Sequence, residues 1–97
     1  RIGQRAIAMT IEADRIQRIF RSVYHELDLV LENLQSGGLT DRALWARLGV
    51  VITRLERIRI GPYPTHIKRV CSDLDIARKR KKQDERIRYL TKARESL

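Results

Sequence analysis

The stretch DRALWARLGVVITRLERIRI, from Asp41 to Ile60, carries an apolar series and an arginine series on the same residues. The apolar residues recur at steps of four, three, four and three, the spacing of one face of an amphipathic helix: Leu44, Leu48, Val51, Leu55 and Ile58. Arg47, Arg54 and Arg57 follow a second line beside the first. The stretch therefore predicts a helix over 41–60 with one face to bury and an arginine row next to it.

A longer helix is predicted upstream, over 11–35, with Thr10 as its N-cap. Its apolar face repeats at steps of four and three, as in a coiled coil: Ile16, Phe20, Val23, Leu27, Val30 and Leu34. Gly37 or Gly38 can end this helix in the left-handed conformation, and Thr40 can cap the next one. A link this short makes the two helices run antiparallel, as a helical hairpin.

A third helix is predicted over 65–96. The segment GPYP at 61–64 ends the second helix, because proline lacks an N–H and pushes the preceding residue out of helical geometry. Thr65 can then cap the third helix. The run RKRKK, Arg78 to Lys82, interrupts its apolar series, which resumes out of phase, so we expect this helix to bend, fray or change partner near residue 80.

One hairpin cannot cover its own apolar surface, and core is scarce in a domain of 97 residues. Four apolar residues lie beside the two seams and would be exposed in a lone hairpin: Ile19, Leu31, Trp45 and Ile52. Gly49, in the middle of the second helix, leaves room for another backbone. We therefore expect a single all-α domain over 1–97, an antiparallel hairpin plus a third C-terminal helix, that forms a homodimeric four-helix bundle.

The composition favours a polyanionic partner. Lysine and arginine number 21 against 12 acidic residues, a formal net charge of +9, which suggests nucleic acid first and an anionic membrane surface second. No apolar run reaches the length of a membrane span. The start RIGQRAIAM has no uninterrupted apolar segment and does not read as a secretory signal. Met9 is a candidate natural start, which would make residues 1–8 an upstream extension, and residues 1–9 precede the first predicted helix and its cap.

No constellation for catalysis is evident, so we do not expect an enzyme, a metal site or a cofactor. His25 and His66 fall in different predicted helices, and no paired-cysteine, His-x-x-x-His or phosphate-loop motif occurs. Cys71 is the only cysteine, so an intrachain disulfide is excluded. Cys71 is interpreted as a packing residue and His25 as a surface residue.

The basic residues remain, and they favour a nucleic-acid duplex. Arg47, Arg54 and Arg57 form a stripe on helix two with Arg42 near its start, and helix one carries Arg15, Arg18 and Arg21. Few acidic residues on helix two are placed to pair with its arginines, and arginine suits bidentate phosphate contacts. A rigid basic surface matches the backbone of double-stranded RNA, which is recognised by shape and phosphates. No protruding recognition helix for a DNA groove and no aromatic platform for single strands are apparent.

The run from Arg78 to Lys82 has three readings. It is a phosphate-gripping extension, a nuclear-import patch, or a solvated helical turn. With the first reading included, the predicted RNA-binding residues are Arg18, Arg21, Arg42, Arg47, Arg54, Arg57, Arg78, Lys79 and Arg80.

The layout of the chain resembles the B2 proteins of nodaviruses, which suppress RNA silencing. The similarity lies in DRIQRIF within a long first helix, a short break, an arginine-bearing second helix, a proline-containing turn, and a third helix ending in DERIRYL. The resemblance implies an all-helical homodimer whose paired hairpins lie along double-stranded RNA in the host cytoplasm. Such a protein shields RNA from Dicer and from silencing complexes, and Dicer or a viral replicase becomes a candidate partner.

Two other functions stay open on the sequence. One is a DNA-binding regulator of phage or plasmid type, which would prefer one DNA sequence over duplex RNA. The other is a helical adaptor whose basic face meets an acidic protein, which would bind no nucleic acid at near-physiological salt.

Overall fold

The computed structural model describes the backbone of residues 2–58 and 63–97, and the side chains of residues 14–58 and 64–97. This part of the chain forms four helices and no strand: α1 (Ile2–Gln35), α2 (Asp41–Glu56), α3 (Tyr63–Lys79) and α4 (Gln83–Glu95). The predicted all-α class is confirmed. No helix among the described residues is both long and apolar enough to cross a membrane.

The turn between α1 and α2 follows from its local sequence. Gly37 has a φ of 76°, a conformation that costs glycine little. Its N–H donates to the Leu34 carbonyl at 3.2 Å, and the Gly38 N–H donates to the Asn33 carbonyl at 3.0 Å, which together make a Schellman cap. Thr40 then caps α2, because its hydroxyl oxygen accepts from the Ala43 N–H at 3.1 Å. Both predicted helix ends are confirmed.

The start of α1 was predicted wrongly. The helix already includes Ile2, so Thr10 lies inside it and does not cap it. The residues before Thr10 are mostly good helix formers and include no proline, so propensity carries the helix through the threonine. The 34 residues of α1 correspond to about 51 Å at 1.5 Å per residue, close to the 54 Å long axis of the molecule.

The predicted third helix, 65–96, is two helices. Residues 80–82 separate α3 from α4, and α3 starts at Tyr63, so Thr65 lies in its first turn and is not its cap. Arg86 of α4 explains the break: its Nε donates to the Arg80 carbonyl at 2.5 Å, and its Nη1 meets an Asp41 carboxylate oxygen at 2.6 Å. Helix α2 ends at Glu56, before the predicted end at residue 60. Residues 59–62, with half of the predicted GPYP turn, lie outside the described residues, and the other half, Tyr63 and Pro64, begins α3.

The four helices close into an up-down-up-down bundle within one chain. Each helix packs on the two neighbouring helices of the bundle, and the Arg86 side chain of α4 also reaches across to Asp41 at the start of α2. Each junction is antiparallel. For example, Gln83 at the start of α4 donates its side-chain amide to the Leu34 carbonyl near the end of α1, at 2.9 Å.

This closure changes the case for a dimer. Leu31 is buried in the core, and Ile19 and Ile52 pack against it partly buried, so α3 and α4 do much of the covering that a second hairpin was expected to do. Trp45 alone of the four stays substantially exposed, at 46%. Gly49 faces the Arg78 guanidinium, with Nη1 3.4 Å from where a Cβ would lie, and does not face another backbone. Association of two copies is therefore not needed to cover Ile19, Leu31 and Ile52.

Candidate nucleic-acid interface

The arginine row of α2 lies beside α1 on the outside of the bundle. Arg54 fixes the register, because its Nη2 donates to the Ser22 hydroxyl of α1 at 3.0 Å. Arg47 lies two turns before Arg54 on the same side of α2. Arg57, one turn after Arg54, is exposed, as is Arg42 further around the helix. The seam residues lie on the adjacent side of α2 and are buried, as the sequence predicted: Leu44, Leu48, Val51, Leu55 and Ile58.

The first helix contributes arginines to the same surface. Arg15, Arg18 and Arg54 line a groove of about 510 Å³ between α1 and α2, together with Ile19 and Asp14. The contact between α1 and α2 is the least extensive of the four junctions, which leaves this groove open. Arg15 was grouped with its neighbours in the sequence but was not among the predicted contacts. The sequence could have indicated this position, because residues three apart, such as Arg15 and Arg18, are neighbours on a helix surface.

We call this surface the arginine face. It is defined by the arginines that line the groove, Arg15, Arg18 and Arg54, and by the exposed Arg47 and Arg57 of α2. Arg21 and Arg42 are also exposed, further around their helices. The ion pairs found among the described residues all lie elsewhere, on Asp75, on Asp41 with Arg86, and on Asp28 with Arg94. The charge of the arginine face is therefore not neutralised by ion pairing within the described structure.

The other predicted contacts, Arg78, Lys79 and Arg80, are not on the arginine face. They lie at the end of α3, at the bundle end where Gln83 meets Leu34, whereas Arg54 lies toward the opposite end. Arg78 and Lys79 both bind Asp75, at 2.9 and 2.8 Å. These hydrogen bonds, that of Lys79 first, lower the pKa of the Asp75 carboxyl. Contact of Arg78, Lys79 and Arg80 with RNA therefore stays a prediction, separate from that for the arginine face.

The described part of the chain holds no group of three or more His, Cys, Asp or Glu side chains that could bind a metal ion. Cys71 lies in the core, as interpreted from the sequence. Burial, with a smaller contribution from Glu56, raises the pKa of its thiol to about 11, which makes the thiolate scarce at neutral pH.

Comparisons with protein-family models, with curated proteins and with solved structures each gave no match. The functional assignment therefore depends on the geometry and charge of the arginine face and on the sequence layout described above.

Proposed function

We propose that this protein binds double-stranded RNA, without regard to sequence, through the arginine face. The observation that carries the proposal is a set of arginines from two adjacent helices, gathered on one surface and free of ion pairs in the described structure. Desolvating an arginine that is already paired is costly, whereas an unpaired surface arginine can exchange water and counterions for phosphate. The arginine face is therefore suited to a polyanion.

The shape of the surface favours a duplex over a single strand. Helix α2 has 16 residues, about 24 Å of rigid rod, and it lies alongside the longer α1. Such a surface suits phosphates held in fixed positions on both sides of a groove. A-form RNA adds a shallow minor groove with 2′-hydroxyls, which proteins recognise by shape. Guanidinium groups bind phosphate in a bidentate manner, so positioning needs no contact with the bases.

The proposed action is occupancy and involves no chemical step. Together with the resemblance to nodavirus B2 proteins, it extends to suppression of RNA silencing in the host cytoplasm, by shielding double-stranded RNA from Dicer and from silencing complexes. Dicer or a viral replicase would then compete with, or bind beside, the covered RNA.

A homodimer remains part of the proposal on the strength of the resemblance alone. Two copies related by a two-fold axis would align two arginine faces along one duplex and increase the number of phosphate contacts. Sedimentation equilibrium of the free protein and of its RNA complex tests this part separately. A mass of one chain in both states would limit the proposal to single copies.

A second candidate function is a protein-interaction module, because apolar residues are also exposed on the arginine face. Val50 is 61% and Leu29 is 39% exposed. Val50 lies one turn before Arg54 and Leu29 two turns after Ser22, so each lies on the same side of its helix as the Arg54–Ser22 contact. An acidic, amphipathic partner helix would match this mixture. Binding of such a partner with no affinity for RNA duplexes would favour this function.

Substitution of Arg54, which lines the groove between α1 and α2, tests the proposal that the arginine face binds duplex RNA. We expect Arg54→Ala to weaken binding to an RNA duplex by about five- to ten-fold for any sequence and to reduce the slope of log affinity against log salt by about one. Arg69→Ala, which removes an exposed arginine from α3 on the far side of the bundle, is the charge-matched control.

Ser22→Ala is a second control, because it removes the partner of Arg54 and keeps the charge. Fluorescence anisotropy with an end-labelled duplex, after circular dichroism has verified folding, provides both readouts. Equal losses for Arg54→Ala and Arg69→Ala would mean that the binding site is not the arginine face.

A further inference from the structure

Trp45 forms an exposed stack with Arg78 on the side of α2 that faces α3. The Arg78 Cζ atom lies over the indole, 4.2 Å from the ring centroid, and the tryptophan is still 46% exposed. Two neighbours hold the guanidinium in place: its Nε donates to Asp75 at 2.9 Å, and Gly49 leaves the space that Nη1 occupies. The stack is therefore a pre-arranged pair of flat groups with apolar surface open to solvent.

Positive charge surrounds this stack. Arg42 lies three residues before Trp45, at the spacing of neighbours on a helix surface. Arg80, Lys81 and Lys82 follow Arg78 and are all exposed. None of these four cations takes part in an ion pair in the described structure. The combination of an open aromatic ring, a guanidinium and unpaired cations is the one that proteins use to hold single-stranded nucleic acid.

On the basis of the proposed function, we infer that the Trp45–Arg78 stack binds an unpaired nucleotide at the end of, or next to, the RNA duplex. The base stacks on the exposed part of the indole, and Arg42 with the lysines after Arg78 binds the flanking phosphates. At 100° per residue, Arg42 lies between Trp45 and the Arg47–Arg54 line around the outside of α2. A strand that leaves the arginine face past Arg42 therefore reaches the stack.

The inferred site also assigns a role to the basic run from Arg78 to Lys82, which is not part of the arginine face. Arg78 is used inside the stack and in its bond to Asp75, and the Arg80 guanidinium lies over the Tyr89 ring of α4, 5.9 Å from its centroid. Lys81 and Lys82 are exposed and stay available to a strand that passes the end of α3. Stacking is tolerant of sequence because every base has a flat face. The inferred site thus adds a preference for unpaired nucleotides and keeps recognition independent of sequence.

Intrinsic fluorescence tests the inference directly, because Trp45 is the only tryptophan in the chain. The probes are a blunt RNA duplex, the same duplex with a two-nucleotide unpaired 3′ extension, and a short single-stranded RNA. We expect the extended duplex and the single strand to quench Trp45 and the blunt duplex to bind with little quenching. Equal quenching by blunt and extended duplexes, or no quenching by any probe, would overturn the inference.

Variants separate this site from the arginine face. Measured by anisotropy, Trp45→Ala should abolish a preference of about ten-fold for the extended over the blunt duplex. Tyr24→Ala is the matched control: Tyr24 is 42% exposed and lies under Arg94 at 5.7 Å, but Arg94 pairs with Asp28 and no basic run follows it. Tyr24→Ala should keep the preference.

Arg54→Ala distinguishes failure of the two proposals. It should weaken binding to both duplexes equally and leave their ratio, and the quenching by single-stranded RNA, unchanged. If the blunt duplex does not bind but the single strand still quenches Trp45, the duplex proposal fails and the stack remains a nucleotide site. A preference that survives Trp45→Ala contradicts the stack and leaves the arginine face untouched.

Discussion

Gly49 shows how one residue without a side chain serves a contact between helices. It lies in the interior of α2, where glycine costs about 1 kcal/mol relative to alanine, and the Arg78 guanidinium passes over it on its way to Trp45. The distance of 3.4 Å from a Cβ at this position to Nη1 is an ordinary van der Waals contact with the far end of a flexible side chain.

Gly49→Ala should therefore stabilise the protein, by about 0.5 to 1 kcal/mol of unfolding free energy, because helix propensity is gained and the stack is kept. Urea denaturation followed by circular dichroism measures the change. A lower free energy of unfolding, together with loss of the Arg78 guanidinium from the Trp45 ring, would show that the guanidinium can take this position only over a residue without a side chain.

Cys71 illustrates how burial sets the reactivity of a side chain. Its Sγ lies 4.0 Å from the Ile52 carbonyl oxygen, and burial raises the pKa of the thiol to about 11 from its ordinary value of 9.0. At pH 8 the thiolate fraction is then about a hundred times smaller than in the unfolded chain. Because the pKa of the Cys71 thiol is higher in the folded state, the free energy of unfolding is unaffected by this group below pH 9. It decreases as pH rises from about 9 to 11, where the unfolded chain loses the proton and the folded protein keeps it.

The reaction of Cys71 with a disulfide reagent should accordingly be about a hundred-fold slower at pH 8 in the folded protein than in urea. The rate should level off near pH 9 in urea but keep rising to about pH 11 in the folded protein. A fast native reaction at neutral pH would mean that the thiol is neither buried nor protonated as described.

At the scale of the helices, Arg86 holds the junction between α3 and α4. It is 8% exposed, and its two hydrogen bonds connect the carbonyl of Arg80 to the first residue of α2, Asp41. Hydrogen bonds from a charged group are each worth about 1.5 to 3 kcal/mol when their removal strands a partner. Asp41 itself has an 85% exposed side chain, so water can replace the guanidinium there.

We therefore expect Arg86→Ala to lower the free energy of unfolding by about 2 kcal/mol. Arg88→Ala, two residues later and exposed on the same helix, should cost much less. Chemical denaturation of both variants gives the comparison. Equal, small effects would show that the hydrogen bonds of Arg86 do not stabilise the junction.

The same junction marks the limit of what the sequence predicted for the helices. The Gly37 turn and the Thr40 cap were foreseen because each depends on contacts within a few residues. The basic run indicated a disturbance near residue 80, but the break itself comes from Arg86 meeting Asp41 across 45 positions. Apolar periodicity and capping motifs compare residues only a few positions apart and cannot predict such a long-range contact. For this reason α4 was predicted as part of α3.

For the whole molecule, the apolar seams were predicted well and their covering partners were not. The residues of both seams form the core, since the repeat of four and three fixes one face of each helix. A symmetric partner and a fourth helix of the same chain can cover such a face equally well, and the sequence pattern does not distinguish them. Likewise, arginine spacing on α1 and α2 identified the arginine face, whereas Arg78 was assigned to RNA without its bonds to Trp45 and Asp75.

The most direct measurement is a binding titration of the protein with an RNA duplex of about 20 base pairs and unrelated sequence, the DNA duplex of the same sequence, and one RNA strand alone, at two salt concentrations. The arginine face predicts that the RNA duplex binds most tightly, that changing its sequence has no effect, and that affinity falls steeply with salt as counterions are released. Equal affinity for all three nucleic acids, or none for the RNA duplex at near-physiological salt, would contradict the account.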